Sequence, residues 1–148
     1  NSFIKFANTH ANKYTHNTMK KIFSLLPLCS LFFSCTSDKG FKSVSVEEFA
    51  DLIADTTVQR LDVRTPEEYA QGHIAGSKNI DVLGDDFEVD ALETLDKDRT
   101  VALYCRSGRR SKKAAEILAA GGFSVVELST GFNGWTEAGK QVDKTYFG

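Results

Sequence analysis

The residues best suited to chemistry lie in one short stretch, where a cysteine is followed directly by an arginine- and glycine-rich turn. The stretch runs, in order, through Cys105, Arg106, Ser107, Gly108, Arg109 and Arg110. Neighbouring cations stabilise the thiolate, which is the nucleophilic form of cysteine. Guanidinium groups also bind oxyanions through charge-assisted hydrogen bonds. The pattern therefore predicts that Cys105 is a nucleophile and that the turn after it binds an anion.

The segment before Cys105 indicates where this turn lies in the fold. Thr100–Cys105 (TVALYC) is an apolar run, typical of a strand that is buried on both faces. A helix is predicted directly after the turn, and ligands of parallel sheets bind where such a strand ends and the helix begins. The alternatives are that Cys105 is a small buried hydrophobic residue and that the basic residues Lys112 and Lys113 only face solvent.

Strand-like and helix-like segments alternate along the second part of the chain. Strands are predicted at Phe41–Val46, Val58–Val63, Ser77–Asp81, Thr100–Cys105 and Ser124–Leu128. Helices are predicted at Glu47–Ala54, Thr65–Gly72, within Gly84–Lys97, at Arg109–Gly122 and at Gly131–Gly139. This alternation predicts an α/β fold with a parallel sheet and right-handed crossovers.

Several residues define the predicted helix ends and inner faces. Ser45 and Thr65 are suitable N-caps, and Pro66 suits a first helical position. The helix within Gly84–Lys97 is indicated by Phe87, Val89, Leu92 and Leu95. The helix after the turn is predicted to end at two glycines and to carry an inner stripe of Ala114, Ile117, Leu118 and Gly121.

Charge is unevenly distributed along the chain. The formal net charge of −2 over 148 residues gives no indication of nucleic-acid binding. All 20 acidic residues lie at or after Asp38, whereas the residues before it hold four lysines and no acid. The chain therefore consists of two different segments that meet between Cys35 and Gly40.

The segment before this boundary resembles a secretory signal. Met19, the only methionine, is followed by two lysines and then by the apolar run Ile22–Phe33. A positive start and a short apolar run are typical of a signal peptide, and the run is too short to span a bilayer. We predict that residues 19–35 are the signal segment and that residues 1–18 are upstream and not native. The alternative is an ordinary N-terminal helix of a longer protein.

Cys35 refines this interpretation. A small residue followed by Cys35 at the end of the apolar run resembles the lipobox of bacterial lipoproteins, although Phe32 and Phe33 depart from its usual pattern. The resemblance implies lipidation of Cys35, a tether over residues 36–40, and export as a periplasmic or membrane-anchored lipoprotein of a bacterium. The alternatives are a secreted protein that is cut nearby and a structural role for Cys35.

The cysteine count supports reactive chemistry at Cys105. The chain has three cysteines, and Cys29 would be lost with the signal. If Cys35 carries lipid, Cys105 is the only remaining thiol, and no intramolecular disulfide could form even in an oxidising compartment. A single thiol in an exported protein is therefore a candidate reactive group.

Two long stretches resemble the signatures of the rhodanese family of thiosulfate sulfurtransferases. LDVRTPEEYAQGHIAGSKNI (Leu61–Ile80) is similar to the first signature. YCRSGRRSKKAAEILAAGGF (Tyr104–Phe123) and GFNGW (Gly131–Trp135) are similar to the active-site region and the second signature. The resemblance implies one rhodanese-like domain over residues 41–148, with a five-stranded parallel sheet and helices on both faces. One departure is Ser77, where alanine is commoner.

The resemblance also implies roles for individual residues. Cys105 matches the sulfur-accepting cysteine, and Arg106–Arg110 match the loop that holds the donor anion and then the persulfide. Asp62 and Arg64 match a supporting pair near that loop, which we expect to brace it rather than to react.

Two further positions match residues that are structural in the family. His73 matches a histidine of the first signature, so a catalytic Cys–His dyad is the less favoured alternative. Trp135 matches a position that is most simply explained as core.

The implied activity is sulfur transfer through a Cys105 persulfide. A small anionic donor such as thiosulfate would supply sulfur, and cyanide, a thiol or a protein would accept it. No cofactor or metal is expected, and a membrane would be met only through a lipid anchor. The alternatives are a non-catalytic module that binds an anion or relays sulfur, and a phosphatase or arsenate reductase. The loop of such phosphatases is one residue longer and has arginine where this chain has Ser111.

Overall fold

The computed structural model describes residues 40–144, which form a five-stranded sheet and five helices. The strands are β1 (Phe41–Val44), β2 (Gln59–Asp62), β3 (Lys78–Asn79), β4 (Val101–Tyr104) and β5 (Val125–Leu128). The helices are α1 (Val46–Ile53), α2 (Pro66–Gln71), α3 (Phe87–Thr94), α4 (Arg109–Ala120) and α5 (Gly131–Glu137). The sheet order is β1-β5-β4-β2-β3, and every neighbouring pair is parallel. The predicted α/β fold with five parallel strands is confirmed.

Helix caps set the ends of two strand-to-helix connections. The Ser45 hydroxyl accepts the Glu48 N–H at 3.3 Å, and the Glu48 carboxylate accepts the Ser45 N–H at 3.0 Å. This capping box starts α1 at Val46, so β1 is two residues shorter than the predicted strand. Thr65 caps α2 in the same way, with Pro66 in the first turn as predicted.

Side chains from alternate positions of β4 pack on opposite faces of the sheet. Val101, Leu103 and Cys105 belong to one buried cluster, which also contains residues of α3 and α4. Ala102 and Tyr104 belong to a second cluster, which contains residues of α1 and α5. All four residues of β4 are buried, so the predicted two-sided burial of this strand is confirmed. The Cys105 side chain faces the layer that contains α4.

The inner faces of two helices differ in part from the sequence pattern. In α3, Phe87 and Ala91 are buried, but Val89 and Leu92 are 54% and 46% exposed. Only one side of this short helix belongs to the buried cluster that also contains residues of α4, so apolar residues on its other side face solvent. In α4, Ala114 and Leu118 are buried as predicted, while Ile117 is partly buried. Ser111 and Ala115 complete the buried face of α4.

The predicted signal segment lies outside the described residues, together with Cys35 and most of the tether. Residues 145–148 of the predicted domain also lie outside them. Within residues 40–144, no helix is long and apolar enough to cross a membrane. Export and lipidation therefore stay predictions from the sequence.

Candidate active site

The Cys105 sulfur lies at the carboxyl end of the central strand, beneath the loop that leads into α4. Cys105 directly follows β4 and is only 1% exposed. The Gly108 N–H donates a hydrogen bond to Sγ at 3.2 Å, and Sγ lies 3.4 Å from the Ser111 hydroxyl. The loop from Cys105 to Arg109 therefore wraps around the sulfur, in the position that the strand–turn–helix pattern predicts.

The surroundings of the sulfur favour its ionised form. Burial raises the pKa of the Cys105 thiol, but the hydrogen bond between Cys105 and the Ser111 hydroxyl and those from the amides of Ser111, Ser107 and Gly108 outweigh it. The net pKa is lowered from the ordinary value of a thiol. A lowered pKa makes the nucleophilic thiolate available at lower pH than in a free cysteine.

Two glycines allow the loop to adopt this shape. Gly108 has a φ of 90°, and a Cβ built on it would lie 2.1 Å from the carbonyl oxygen of Ser129. Gly131 has a φ of 61°, and its Cβ would lie 2.6 Å from the carbonyl oxygen of Cys105. Only glycine tolerates both the positive φ and the close approach of backbone at these positions. GFNGW therefore contributes a loop contact that its sequence alone did not indicate.

The first amides of α5 bind the carbonyl groups of the loop. The Phe132 N–H donates to the Cys105 carbonyl at 2.7 Å, and the Asn133 N–H donates to the Arg106 carbonyl at 3.0 Å. These bonds direct the two carbonyl oxygens toward α5. Because each peptide unit is planar, the N–H groups of the same units point the opposite way. The peptide N–H groups are then left for the sulfur and for an anion beside it.

The loop arginines differ in their surroundings. Arg106 and Arg109 are exposed and line an open pocket of about 430 Å³, together with Ser107, Leu83 and Thr65. Two cations at the wall of a pocket that is lined by the loop around the sulfur suit a small anion. Their predicted contact with the donor anion stays a prediction.

Arg110 forms an ion pair with Glu68. Its two terminal nitrogens donate to the two carboxylate oxygens of Glu68 at 2.7 and 2.8 Å. The hydrogen bonds between the two side chains lower the pKa of Glu68 and raise the pKa of Arg110. The charge of Cys105 raises the pKa of Arg110 further. Glu68 lies 42 positions away in the sequence, so the pair is visible only in the fold. Much of the Arg110 charge next to the predicted anion site is therefore offset by Glu68.

Replacing the two partners separately should have opposite effects on an anionic donor. Arg110→Ala leaves the Glu68 carboxylate unpaired in the pocket, and we expect KM for the predicted anionic donor, thiosulfate, to rise about tenfold. Glu68→Gln frees a cation and should lower KM, while its amide oxygen keeps the cap on Thr65. In the double variant, KM should return close to that of the wild type. Steady-state kinetics of all four proteins checks this, and equal KM values in all of them would contradict it.

Asp62 and Arg64 form a buried ion pair. The Arg64 guanidinium donates to the Asp62 carboxylate at 2.6 and 3.0 Å, and to the Gly72 carbonyl at 2.6 Å. It also lies 4.1 Å from the centre of the Phe132 ring, directly after the start of α5. The pair thus connects the end of β2 to the helix that holds the Cys105 loop. The bracing role of the pair stays a prediction.

Sequence reasoning missed a buried acid behind the sulfur. Glu127 on β5 is 0% exposed, and one of its carboxylate oxygens accepts the Ser111 hydroxyl at 2.7 Å. The other oxygen accepts the Ser43 hydroxyl at 2.6 Å. A charged residue inside the otherwise apolar strand VVEL was the signal available in the sequence.

Comparison with known proteins identifies the family. A profile of the Rhodanese-like domain matches residues 45–138, which is more than half of the chain. The chain belongs to the rhodanese family. The thiosulfate sulfurtransferase PspE of Escherichia coli strain K12 is 44% identical over 71 residues, covering 48% of this rhodanese and 67% of that protein.

Other relatives match over greater lengths. The thiosulfate sulfurtransferase GlpE of Shewanella oneidensis is 32% identical over 100 residues, covering 67% of this rhodanese and 96% of that protein. The crystal structure of a rhodanese-like domain protein from Staphylococcus aureus superposes with a TM-score of 0.61 and 31% identity. It covers 72% of this rhodanese and 100% of that chain. The comparisons support membership of a sulfurtransferase family and confirm the predicted fold.

The remaining signature residues of this rhodanese are buried. His73 is buried, stacks on Tyr69 at 3.8 Å between ring centres, and makes its ring hydrogen bond to the Tyr69 carbonyl at 3.1 Å. Trp135 is buried among the residues that pack against α1, as predicted. Ser77 is buried, and its hydroxyl donates to the Ile74 carbonyl at 2.6 Å and lies 3.0 Å from the Tyr104 hydroxyl. Among residues 40–144, no cluster of His, Cys, Asp or Glu could hold a metal ion.

Proposed function

We propose that this rhodanese is a sulfurtransferase that carries sulfane sulfur as a persulfide on Cys105. The donor is thiosulfate or a similar small anion, and the acceptor is cyanide, a thiol or a protein. The observation that carries the proposal is that backbone amides of one loop surround the Cys105 sulfur, while arginines of the same loop line a pocket. An anionic sulfur carrier needs both a stabilised thiolate and a place for an anionic donor.

In the first half-reaction, the Cys105 thiolate attacks the outer sulfur of thiosulfate. A bond forms between Sγ and that sulfur, and the bond to the sulfonate group breaks. Its electron pair leaves with sulfite, so the total charge of −3 is unchanged. Arg106 and Arg109 stabilise the anionic donor and the departing sulfite, and the loop amides stabilise the persulfide anion.

In the second half-reaction, the acceptor attacks the outer sulfur of the persulfide. Cyanide yields thiocyanate and a thiol yields a new persulfide, and in both cases the electron pair of the broken bond returns to Sγ as thiolate. The enzyme therefore alternates between a free and a sulfur-loaded form. Thiocyanate formation from thiosulfate and cyanide tests the activity, and initial rates should give the parallel double-reciprocal lines of a ping-pong mechanism.

Arg109 offers a direct test of donor binding. Arg109→Ala removes an exposed cation from the pocket wall, and we expect KM for thiosulfate to rise about tenfold. Lys112→Ala removes a cation that is exposed on the same helix but does not line the pocket, and its KM should stay within about twofold. Equal KM values in the two variants would contradict the assignment of Arg109 to the donor site.

Phosphatase activity is the alternative function that the loop could support. Phosphatases of this kind have arginine where this chain has Ser111, which is buried, and the neighbouring Arg110 is bonded to Glu68. These contacts favour sulfur transfer, and we expect no hydrolysis of an aryl phosphate by the wild-type protein.

We also propose that the protein is exported and held at a membrane through lipid on Cys35. The support is the lysine-led apolar run before Cys35 and the absence of acids from that segment. In a bacterial host, the protein should fractionate with membranes, and Cys35→Ser should be released into the soluble fraction. Recovery of both forms in the soluble fraction would contradict the anchor.

A further inference from the structure

Glu127 is a buried acid that the sulfur transfer described above does not use. Its carboxylate accepts hydrogen bonds from Ser111 at 2.7 Å and from Ser43 at 2.6 Å, and its side chain is inaccessible to solvent. Among the described residues, the side-chain ion pairs join Arg64 to Asp62 and Arg110 to Glu68, and neither involves Glu127. Burying a carboxylate without a cation is costly. Glu127 is connected to Cys105 by two hydrogen bonds through Ser111, which suggests that the two groups act together.

Ser111 can connect the acid and the sulfur in two ways, because its hydroxyl has one hydrogen to donate. In the first, the Cys105 thiol donates to Ser111 over 3.4 Å and Ser111 donates to the Glu127 carboxylate. In the second, a protonated Glu127 donates to Ser111, and Ser111 donates to the Cys105 thiolate. The same atoms are in contact in both arrangements, and only the protons differ.

We propose that Glu127 receives the thiol proton of Cys105 through Ser111, and so acts as a positioning residue for the nucleophile. The S–H bond of Cys105 breaks and its proton binds Ser111 Oγ, while the original hydroxyl proton of Ser111 moves to Glu127 Oε1. A thiolate and a carboxylic acid result, and the pair keeps one negative charge. The inference deepens the proposed function, since it concerns how that nucleophile is generated.

Electrostatics favours a shared proton over its loss to solvent. A thiolate and a carboxylate joined by one serine would repel each other in a site from which water is excluded. The Gly108 amide and the Arg110 charge act on the sulfur, and the Ser43 hydroxyl acts on the acid. Arg106 and Arg109 are exposed on the loop. The negative charge can thus lie at either end of the network with a donor next to it.

The pH dependence of Cys105 alkylation by iodoacetamide tests this proposal without any sulfur donor. Over the pH range in which Cys105 and Glu127 together hold one proton, the thiolate fraction is independent of pH. The alkylation rate of the wild-type protein should therefore show a plateau in this range, and it should rise again at the higher pH where the pair loses that proton. Glu127→Gln has the same size but cannot take the proton. Its rate should fall about tenfold per pH unit below a single pKa, with no plateau.

Two further variants make the test decisive. Ser111→Ala breaks the connection, leaves Glu127 bonded to Ser43, and should also lose the plateau, so it serves if Glu127→Gln does not fold. Glu116→Gln replaces an exposed acid on the same helix and should keep the plateau. A wild-type profile with one slope and no plateau, or a plateau that survives in both Glu127→Gln and Ser111→Ala, would overturn the proposal. Neither result would bear on whether Cys105 accepts sulfur.

Discussion

Cys105→Ser should reduce thiocyanate formation from thiosulfate and cyanide by about 10⁴-fold or more. The serine hydroxyl is almost entirely protonated at neutral pH and cannot form the sulfur–sulfur bond that the mechanism requires. It has nearly the same shape as the thiol, and it can accept the hydrogen bond that Gly108 donates to Sγ at 3.2 Å. The loss therefore reports on chemistry rather than on folding.

The control for this substitution is the stability of the same protein. Because Cys105 is buried and the change is close to isosteric, the urea unfolding midpoint should move little compared with the loss of activity. Turnover above about one hundredth of the wild-type rate, in a protein with a native unfolding transition, would assign the sulfur transfer to another group.

Gly108→Ala should distort the loop around the Cys105 sulfur and abolish most of the activity of the protein. A left-handed backbone costs a non-glycine residue about 1–2 kcal/mol, and the clash with the Ser129 carbonyl at 2.1 Å should add about 1–3 kcal/mol. The same change displaces the amide that donates to the Cys105 sulfur. Since a shift of about 1 Å in a reacting group can cost about 100-fold in rate, we expect a loss of at least that size.

Gly122 provides a matched control for this substitution. Its φ of 88° is almost the same as the 90° of Gly108, but a Cβ there meets nothing within 4 Å. Gly122→Ala should therefore lower the free energy of unfolding only by the cost of the left-handed backbone, about 1–2 kcal/mol, and should leave the activity unchanged. Urea unfolding and turnover, measured on both variants, separate the two contributions. Equal losses of stability and activity would show that the Ser129 contact is not what requires glycine at position 108.

The order of elements could be predicted because each part of the sequence carries its own local signal. The apolar run before Cys105 indicated a strand buried on both sides, and all four residues of β4 are buried. Ser45 and Thr65 indicated helix starts, and both form capping boxes. The position of Cys105 at the end of a buried strand could be predicted for the same reason, since the strand, the turn and the helix around it are contiguous.

The rest of the site could not be predicted because it depends on contacts between distant residues. Glu68 and Arg110 are 42 positions apart, and Ser111 and Glu127 are 16 apart on different elements. The pattern of SVVEL indicates a strand, but it does not show which element covers its acid. Gly131 resembled a family signature, but its contact with the loop depends on how α5 packs against Cys105. Sequence periodicity describes one element at a time, whereas these pairs depend on the packing of several elements.

The most direct test of the central claim is the intact mass of the protein from Thr36 onward after incubation with thiosulfate and no acceptor. We expect a gain of one sulfur atom, which is removed by dithiothreitol or cyanide and is absent in Cys105→Ser. A mass that stays unchanged with thiosulfate and with other sulfane sulfur donors, while Cys105 still reacts with iodoacetamide, would contradict the persulfide carrier. That result would favour a module that binds an anion without turnover.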